Sequence, residues 1–475
     1  MSRSTKIIAS IGPASSDEVT IKAMIEAGMD VARLNLSHGS VDESIERLHQ
    51  IRKIAVATGR EVGVMADLPG PKVRIGLVEP PVTIKVDDEI DLVPGEEPSS
   101  NGTFTVDYDR LLIDVRVGDR LSIGDGSMIL EVFDSKPDAL RSRVLYGGVV
   151  QGRPGLHIPS DRLQLTTPTP HDLKLLDAMV EHDIDMIALS FVRSAHDVRR
   201  VGLEPAPRGP LIVAKIETKA AIDNLDGIIS ESGAIMVARG DLGTECSLHQ
   251  LPHLQKDIIG RCVALGRPAI TATQMLESMI KAPAPTRAEA SDVANAVFDG
   301  TSAVMLSAET AIGHDPAHVV ATMAQIAREA DEKFNHDNWA RDLKRTGMLE
   351  PQSADSAVTD TMTLATWEAA RGIEAAAIIC ITRSGFTVRA ISRFRPDRPI
   401  LAFSPEDRTL RQLTMSWGAV PLKMGRIEDN RTTVDEVVAI AKTLGHIRSG
   451  DTVAVLAGMD GKSAATDSLR MVRCP

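Results

Sequence analysis

The chain has 475 residues and an apolar fraction of 43%, enough for two or three domains with buried cores. Aromatic residues make up only 3% of the chain, so aliphatic side chains must fill those cores. The formal net charge of −12 argues against a nucleic-acid or anionic-membrane partner.

Targeting and redox features are few. No apolar run is long enough to span a bilayer, and the first residues, MSRSTKIIASIG, hold no apolar signal segment. The four cysteines are far apart and form no CxxC pair, which disfavours a zinc site or a disulfide framework. These features predict a cytoplasmic protein.

Strand-like and helix-like segments alternate along residues 1–68, which is typical of a parallel sheet covered by helices. Helical patterns run from near Asp17 to Gly28 and over residues 41–58. The strand-like runs are 6–12, 31–37 and 62–68.

The pattern changes over residues 69–160, which are rich in Gly, Pro and Asp and contain short alternating runs. No helix is predicted there, so this segment is expected to be an inserted all-β domain. Alternation resumes over residues 161–335, with a helix from His171. The strand-like runs in this part are 185–192, 211–217, 234–242, 268–275 and 302–309.

Three strands before the insertion and five after it make eight. We therefore predict an α/β fold, a (β/α)₈ TIM barrel interrupted after its third strand. Residues 336–351 are charged and poor in apolar periodicity, so they are predicted to be a linker. Residues 352–475 alternate again, and they predict a C-terminal open α/β domain with a regulatory role.

Polar side chains recur at the ends of the barrel runs, the edge where barrel active sites lie. One such residue could be a helix cap or a solvated ion pair, but so many at one rim predict a site. By the period-two rule the following share faces: Lys215 with Glu217, Arg239 with Asp241, Arg33 with Asn35 and Ser37, Thr271 with Thr273, and Ser307 with Glu309. Further polar residues at this edge are His38, Asp67, Lys72 and Arg74.

The residue types indicate the chemistry. Two carboxylates, Glu217 and Asp241, suit Mg²⁺ or Mn²⁺, which keeps substrate oxygens as its other ligands. Arg33, Lys215 and Arg74 are cations in an acidic protein, as an anionic substrate requires. Phosphoryl transfer needs little beyond such cations, a metal and in-line geometry, although no Walker A or kinase Gly-rich loop is present.

Several long motifs resemble those of the pyruvate kinase family, and the resemblance extends over nearly the whole chain. The interruption after the third strand also matches that family's lid domain. The motifs stand in family order: RLNLSHG (33–39), KIET (215–218), MVARGDLG (236–243), ATQMLESM (272–279), PTRAEASDVANAV (285–297) and MLSAET (305–310).

The resemblance implies Mg²⁺-dependent phosphoryl transfer from phosphoenolpyruvate to ADP, which gives pyruvate and ATP in the last step of glycolysis. It implies that Glu217 and Asp241 bind the divalent ion. Lys215 would stabilise the transferring phosphoryl group and the enolate, and Arg33 would hold the phosphoryl oxygens. The groups expected to receive the substrate carboxylate are the backbone at Gly240 and Asp241 and the hydroxyl of Thr273.

The resemblance also assigns roles around this centre. Thr273 with Ser307 would belong to the proton path, and Asn35, His38 and Arg74 would contact the nucleotide. Asp125 matches a residue of the closing lid. A homotetramer is implied as well, but nothing in the composition indicates one.

The sequence departs from the family around the third strand, in ADLPGPKVRIG. Potassium-dependent members carry Thr, Lys and Glu at the positions of Leu68, Pro69 and Lys72. The ammonium of Lys72 can replace a bound K⁺ as a local positive charge. Although Asn35, Ser37 and Asp67 of the monovalent-cation region are retained, we predict activity without K⁺; the alternative is that Lys72 merely faces solvent.

Two further segments depart from the family or suggest regulation. The lid ends in VVQGRPGLHIP, with Pro154 where a Lys is expected and Arg153 beside it. In the C-terminal domain TRSGFT resembles an effector-phosphate loop, formed by Thr382, Arg383, Ser384, Gly385, Phe386 and Thr387; an ordinary helix cap is the alternative. GMDGKSAATD (458–467) occupies the effector-loop region but lacks the aromatic residue and the Arg that are usual there. The resemblance therefore implies regulation by a phosphorylated sugar or nucleotide, and the sequence leaves its identity open.

Two other functions fit part of the pattern. A Mg²⁺-dependent lyase or aldolase would use the same rim carboxylates. That function does not explain why Arg33, the lid and the Thr273–Ser307 pair occur together. A non-catalytic sensor of phosphorylated ligands would not need Lys215 and Glu217.

Overall fold

A closed barrel of eight parallel strands forms the centre of the molecule. The computed structural model describes residues 3–124, 126–160, 162–345, 354–425, 430–458 and 466–475. Each barrel strand pairs with the next barrel strand along the chain, and the last pairs with the first, which confirms the predicted fold class.

The first part of the barrel follows the predicted alternation. The Asp17 side chain accepts from the Thr20 N–H at the start of its first helix, and Gly28 ends that helix at φ 122°. Ser40 and Glu43 form a capping box at the start of the second helix. The elements are β1 (Lys6–Ile11), α1 (Glu18–Ala27), β2 (Val31–Asn35), α2 (Val41–Thr58) and β3 (Gly63–Asp67).

The inserted segment forms a two-stranded and a six-stranded sheet around a core of its own. The described part of this segment contains a short helix, although the sequence predicted none. Leu111, the first residue of that helix, packs into this core, which stabilises the helical turn. The elements are β4 (Val78–Ile84), β5 (Glu89–Pro94), β6 (Thr103–Val106), α3 (Leu111–Asp114), β7 (Arg120–Ile123), β8 (Met128–Ser135), β9 (Leu140–Tyr146), β10 (Gly148–Gly152) and β11 (Leu156–His157).

The chain then returns to the barrel and completes it. The strands are β12 (Met186–Leu189), β13 (Leu211–Ile216), β14 (Ala234–Ala238), β15 (Ala269–Ala272) and β16 (Ala303–Leu306). The helices are α4 (Pro170–Glu181), α5 (Ala195–Arg199), α6 (Lys219–Asp223), α7 (Leu225–Glu231), α8 (Arg239–Glu245), α9 (Leu251–Ala264), α10 (Arg287–Phe298), α11 (Ala308–Ala311) and α12 (Pro316–Lys333).

Alternate residues of these strands enter two separate cores. Ile8, Met65 and Met236 belong to one buried cluster, whereas Ile7, Val64 and Val237 belong to another that includes residues of the surrounding helices. Successive side chains of a strand point to opposite faces, so one set fills the barrel and the other lies beneath the helices.

The segment predicted as a linker begins with a helix, α13 (His336–Arg345), whose Ala340 and Leu343 are buried. The low apolar periodicity of this stretch did not indicate a helix, and the prediction that it links the barrel to the C-terminal domain stays a prediction. Trp339 Nε1 donates to the carbonyl of Arg393 across 2.8 Å, which joins the helix to the C-terminal domain. Tertiary contacts of a few aromatic and aliphatic residues stabilise this helix despite its high charge.

The C-terminal domain forms a five-stranded sheet with helices between most of its strands. The elements are α14 (Ala354–Gly372), β17 (Ala377–Ile381), α15 (Phe386–Ser392), β18 (Ile400–Ser404), α16 (Asp407–Leu413), β19 (Ala419–Lys423), α17 (Asn430–Thr443), β20 (Thr452–Ala457) and β21 (Ser468–Arg473). The strand order in the sheet is β19-β18-β17-β20-β21. Strand β21 runs antiparallel to β20 and was not predicted.

This domain packs against the end of the barrel where the strands begin. Asp185, just before β12, is fully buried and accepts from Arg411 Nε of α16 across 2.6 Å. Arg395 is also buried, lies over the rings of Phe334 and Trp417, and donates to barrel carbonyls. No helix in the described ranges is long and apolar enough to cross a membrane.

Candidate active site

A cluster of charged side chains lies at the carboxyl ends of the barrel strands. Lys215 Nζ is 2.9 Å from Glu217 Oε1 and 3.4 Å from Asp67 Oδ1. It also donates to Ser190 Oγ across 2.8 Å. Burial alone would lower the pKa of Lys215, but the carboxylates of Asp67, Glu217 and Asp241 together raise it above its ordinary value. Lys215 therefore carries its charge at neutral pH.

Arg33 lies beside this ammonium. Its Nε donates to Asp67 Oδ2 across 2.7 Å, and its Nη1 donates to Ser10 Oγ across 2.8 Å. Burial would raise the pKa of Asp67, yet Lys215 and Arg33 hold it below the ordinary value. Asp67 thus positions two cations with one carboxylate. Arg33 Nη2 has no acceptor among the described residues and is free for an anionic ligand.

Glu217 is 1% exposed and follows directly after β13. Its Oε2 accepts the backbone N–H of Phe191 across 2.6 Å. Burial, together with the nearby charge of Asp241, raises the pKa of Glu217 to about 7 despite the opposing effect of Lys215. A buried carboxylate next to a second carboxylate is short of positive charge, which a divalent cation would supply.

The oxygen donors around Glu217 fit a divalent metal with open positions. Within the described ranges no group of three or more His, Cys, Asp or Glu side chains lies close enough to hold an ion. Glu217 Oε1 is nevertheless buried without a directed hydrogen bond, and Asp241 is its electrostatic neighbour. Two hard oxygen ligands suit Mg²⁺ or Mn²⁺, which commonly takes its remaining ligands from water and substrate.

The expected strand geometry is wrong for Arg239 and Asp241. Strand β14 ends at Ala238, and both residues lie in the first turn of α8, so the period-two rule does not apply to them. Asp241 still reaches the site because the chain turns at the strand end. The helix follows a buried run of Ala, Ile, Met and Val, and nothing in that run marks where the strand stops.

The expected pairing of Thr271 with Thr273 is also wrong. Thr271 is buried in β15 and donates to Thr301, whereas Thr273 lies past the strand end at φ 70°. Thr273 Oγ1 accepts the backbone N–H of Gly240 across 2.8 Å and donates to the Ala272 carbonyl. The two groups expected to hold the substrate carboxylate are therefore bonded to each other.

Arg239 has a clear structural role at this turn. It donates to the carbonyls of Ala272 and Thr273 across 3.2 Å and 2.7 Å. Its Nη1 is 2.7 Å from the nearer oxygen of Asp292 on α10. Thr273 and Gln274 both have positive φ, which is unfavourable for non-Gly residues, so the guanidinium compensates by binding the carbonyls.

Ser307 and Glu309 do not share a strand face. Ser307 precedes α11 and Glu309 lies within it, fully buried. Glu309 accepts from the Ser307 N–H across 2.7 Å and from the Leu276 N–H across 3.1 Å. Glu309 thus joins the ends of two neighbouring strands, and Ser307 lies at the rim close after β16.

The residues expected near the nucleotide lie at the outer rim. Arg33 and Asn35 share a face of β2, but Ser37 and His38 lie beyond its end, and His38 is exposed. Asn35 Oδ1 accepts from the Ser37 N–H across 3.2 Å. Arg74 lies at the entrance to the lid and donates to the Arg153 carbonyl across 3.2 Å. Asp125 is outside the described residues.

Residues 68–72, which the sequence analysis expected to differ from the family pattern, lie between the barrel and the inserted β domain. Leu68 is buried, and its carbonyl accepts from Ser190 Oγ across 2.7 Å. Lys72 is exposed, and its Cε lies near the lid residue Gly155. Lys72 forms no ion pair within the part of the chain that the structure describes, and both oxygens of Asp67 face Arg33 and Lys215.

The TRSGFT loop lies between β17 and α15. Thr382 Oγ1 accepts from the Gly385 N–H across 2.9 Å, and Gly385 has φ 74°. The Arg383 carbonyl accepts from Thr409, and Thr387 Oγ1 is 2.7 Å from Thr466 Oγ1. Ser384 Oγ accepts weakly from the Phe386 N–H at 3.5 Å. Both threonine hydroxyls are thus used within the protein, and most of segment 458–467 lies outside the described residues.

Three groups of the site were not predicted: the hydroxyls of Ser10 and Ser190 and the backbone N–H of Phe191. Ser190 bonds to Lys215, and Phe191, at φ 55°, bonds to Glu217. Both lie after the fourth barrel strand, in the sequence LSFV. The position of Ser190 at a strand end was a usable signal, whereas a backbone donor leaves no trace in residue type.

Comparison with known proteins agrees with this arrangement. Residues 2–320 match the family model described as pyruvate kinase, barrel domain, and residues 360–472 match pyruvate kinase, alpha/beta domain. Curated pyruvate kinases of Thermococcus litoralis and Clostridium acetobutylicum are each 37% identical to the chain over 478 residues. These alignments cover 100% and 99% of this chain and 99% of each relative. A pyruvate kinase of Bacillus licheniformis is 36% identical, with 99% of this chain and 80% of the relative covered.

The fold and the site together define a barrel enzyme of the phosphotransferase class, in which an inserted β domain follows the third strand. The matched regions span most of the chain, and the relatives are aligned over its full length. The chain belongs to the pyruvate kinase family.

Proposed function

We propose that this protein transfers the phosphoryl group of phosphoenolpyruvate to ADP, giving pyruvate and ATP, and that it needs a divalent ion but no K⁺. The observation that carries the proposal is the position of Lys215 between Asp67, Glu217 and Ser190. A charged ammonium held at the mouth of a barrel is suited to an anion that gains charge during reaction.

Arg33 and Lys215 bind the phosphoryl group in this proposal. Asp67 and Ser10 fix the guanidinium through Nε and Nη1 and leave Nη2 for a phosphoryl oxygen. Lys215 neutralises charge on the transferring group and on the enolate oxygen left behind. Because both cations are already oriented by buried partners, little reorganisation is needed during the reaction.

Glu217 and Asp241 would hold Mg²⁺ or Mn²⁺. Bound there, the ion would supply the positive charge of a Lewis acid next to the substrate. On binding, the substrate carboxylate would accept hydrogen bonds from the Gly240 N–H and from the Thr273 hydroxyl, and the hydrogen bond between these two groups would break. Thr273 and Ser307, at neighbouring strand ends, would lie on the path by which the enolate receives its proton.

A coupled assay for ATP formation from phosphoenolpyruvate and ADP, with and without Mg²⁺, tests the reaction. Lys215→Met should lower kcat by about 10²–10³-fold, the range for loss of one electrostatic stabiliser. Lys22→Met, an exposed lysine on α1, is the matched control and should keep full activity. No ATP formation by the unmodified protein, or undiminished activity of Lys215→Met, would refute the proposal.

Metal binding has a test separate from activity. Calorimetric titration with Mn²⁺ should give weaker binding to Glu217→Gln and Asp241→Asn than to the unmodified protein. Lys22→Met should bind as the unmodified protein does. Equal Mn²⁺ affinity in all four proteins would exclude these two carboxylates as ligands.

The independence from K⁺ is supported by how the nearby oxygens are used. Asp67 faces Arg33 and Lys215, Asn35 Oδ1 accepts from Ser37, and Leu68 has no side-chain oxygen. Lys72 brings a fixed charge to the same segment, although its side chain is exposed here.

The cation requirement is tested by rates in buffer free of Na⁺ and K⁺, followed by addition of K⁺. Activity should change little for the unmodified protein, whereas Lys72→Glu should become K⁺-activated. Strong K⁺ activation of the unmodified protein would contradict the proposal, and it would leave the assignment of the reaction intact.

A further inference from the structure

A contact between the inserted β domain and the barrel is centred on Glu245, the last residue of α8, whose side chain is only 5% exposed. The Ser160 N–H and His157 Nε2 donate to its Oε1 across 2.9 Å and 3.0 Å. The Ser160 hydroxyl and the Lys219 N–H donate to its Oε2 across 2.5 Å and 3.3 Å. Burial would raise the pKa of Glu245, but the bonds from His157 and Ser160 hold it below its ordinary value. Glu245 is therefore charged at neutral pH, which strengthens these bonds.

Most of these donors belong to residues 156–160, the segment by which the chain leaves the inserted β domain (the return segment). His157 lies in β11, which pairs with β7 in the six-stranded sheet, and it stands opposite Ser122. Asp119, directly before β7, also pairs with Arg162 across 3.3 Å. Glu245 is thus bonded to the sheet of the inserted domain itself, and not only to a connecting loop.

The same carboxylate also bonds close to both ligands of the proposed metal site. Asp241 lies in the first turn of α8, about one helical turn before Glu245, and its carbonyl accepts from the Thr244 hydroxyl across 2.7 Å. Lys219, whose N–H binds Glu245, is the first residue of α6 and follows Glu217 by two positions. Glu245 therefore connects the return segment to the two barrel segments that carry Asp241 and Glu217.

An open cleft of about 600 Å³ flanks this contact. Arg120 and Ser122 of β7 line one side of it, and Lys219 and Asp223 of α6 line the other. Because the cleft separates β7 from α6, the inserted β domain does not pack tightly against the barrel on this side. A domain that rotates needs a fixed point with free space beside it, and the fixed point commonly lies at the end of an element. The end of α8 and the cleft meet these two conditions.

We infer that Glu245 is a positioning residue for the proposed phosphoryl transfer, on which this inference rests. It fixes the pivot about which the inserted β domain closes over Lys215 and the proposed metal site. Closure of a domain over a reacting phosphoryl group excludes water and completes the site. Glu245 acts through the orientation of the domain and of α8, and not by contact with the substrate.

Steady-state kinetics of the full-length protein tests the inference. Glu245→Ala should lower kcat by about 10–100-fold, because small displacements of groups around the reacting atoms are costly. The KM for phosphoenolpyruvate should change by less than about threefold, since Arg33 and Lys215 keep their partners. Glu245→Gln keeps an acceptor oxygen and should be more active than Glu245→Ala. Glu231→Ala is the matched control and should keep its kcat, because it removes an exposed carboxylate, paired with Arg199, from the end of α7.

Amide hydrogen exchange gives a readout that does not depend on activity. The N–H groups of Ser160 and Lys219 both donate to Glu245, so peptides containing them should exchange faster in Glu245→Ala and at the normal rate in Glu231→Ala. If Glu245→Ala does not fold, His157→Ala decides. That variant removes only the bond to the sheet and should lower kcat in the same way by a smaller factor, whereas His157→Gln keeps a donor and should restore it.

Normal kcat in both Glu245→Ala and His157→Ala, or unchanged exchange at Ser160, would overturn the inference. A rise in the KM for phosphoenolpyruvate as large as the loss of kcat would also overturn it, because the substrate site itself would then be disturbed. Absence of ATP formation by the unmodified protein would instead refute the proposed function, and the exchange experiment would still show whether Glu245 holds the return segment.

Discussion

Arg239 Nη2 donates a hydrogen bond to the carbonyl of Thr273 across 2.7 Å, and this bond connects a helix after one barrel strand to the turn after the next. The same guanidinium binds the Ala272 carbonyl and Asp292. Thr273 is thereby kept at φ 70° with its hydroxyl against the Gly240 N–H.

The first prediction concerns this turn. Arg239→Lys should lower kcat by about 10–100-fold, because one ammonium cannot hold two carbonyls and a carboxylate, and small displacements of reacting groups are costly. Steady-state kinetics measures the effect on kcat and KM separately. Asp292→Asn removes only the partly exposed partner and should have a smaller effect. A normal kcat in Arg239→Lys would show that the turn keeps its position without this side chain.

The second prediction concerns the buried carboxylate between two cations. Asp67→Asn should lower the free energy of unfolding by about 3–5 kcal/mol, because it leaves Lys215 and Arg33 without their shared counter-charge. The pKa of Asp67 is lower in the folded state, so its stabilisation is present above the unfolded pKa near 4 and is lost as pH falls through the folded pKa.

The difference in Tm between Asp67→Asn and the unmodified protein should therefore be complete at pH 6–8 and become smaller below about pH 4. Melting curves across this range measure it. Asp226→Asn, which removes an exposed carboxylate paired with Arg261, is the control, and its Tm should stay close to that of the unmodified protein. A Tm difference that does not vary with pH would contradict the prediction.

The third prediction uses two glycines with opposite surroundings. A Cβ at Gly63 would lie 2.6 Å from Met186 Cε and 2.7 Å from the Arg411 carbonyl, so Gly63→Ala should destabilise the chain by about 1–3 kcal/mol. Gly260 lies within α9, and outside its own helix backbone no atom lies within 4 Å of the place that an added methyl group would occupy. Gly260→Ala should therefore stabilise the chain by about 0.5–1 kcal/mol. Tm shifts of the same sign in both variants would be inconsistent with this packing.

The fourth prediction concerns the contact between barrel and C-terminal domain. Arg411 Nε binds the fully buried Asp185, which also accepts from Arg52 and the Val64 N–H. Arg411→Ala should lower the free energy of unfolding by about 2–3 kcal/mol, and not by more, because Arg52 still compensates part of the charge of Asp185. Arg408→Ala loses a contact to the exposed Asp183 and should cost less than about 1 kcal/mol. Thermal melting and limited proteolysis compare the two variants. Equal effects on stability would show that the burial of Asp185 does not increase the contribution of its ion pair.

The sequence predicted the barrel because its strands are apolar runs with helices between them, and α2 begins and ends at the predicted residues. Lys215 and Glu217 were predicted as neighbours from spacing alone, and they lie 2.9 Å apart. Within the site, the errors occurred where a strand ends. Arg239, Thr273 and Glu309 lie beyond their strands, and strand periodicity carries no information about a turn.

The amino-acid sequence by itself determined the order of elements, the family and the residue types at the rim, because local periodicity and motif order are properties of the chain. Only the tertiary structure decided which side chains neutralise one another. Asp67 forms ion pairs with Arg33 and Lys215, which lie on strands far apart in sequence. At the opposite end of the barrel, Arg267 and Arg389 have no carboxylate partner among the described residues. Pairing of charges depends on distance in space and on burial, and both arise only when the barrel closes and the C-terminal domain packs against it.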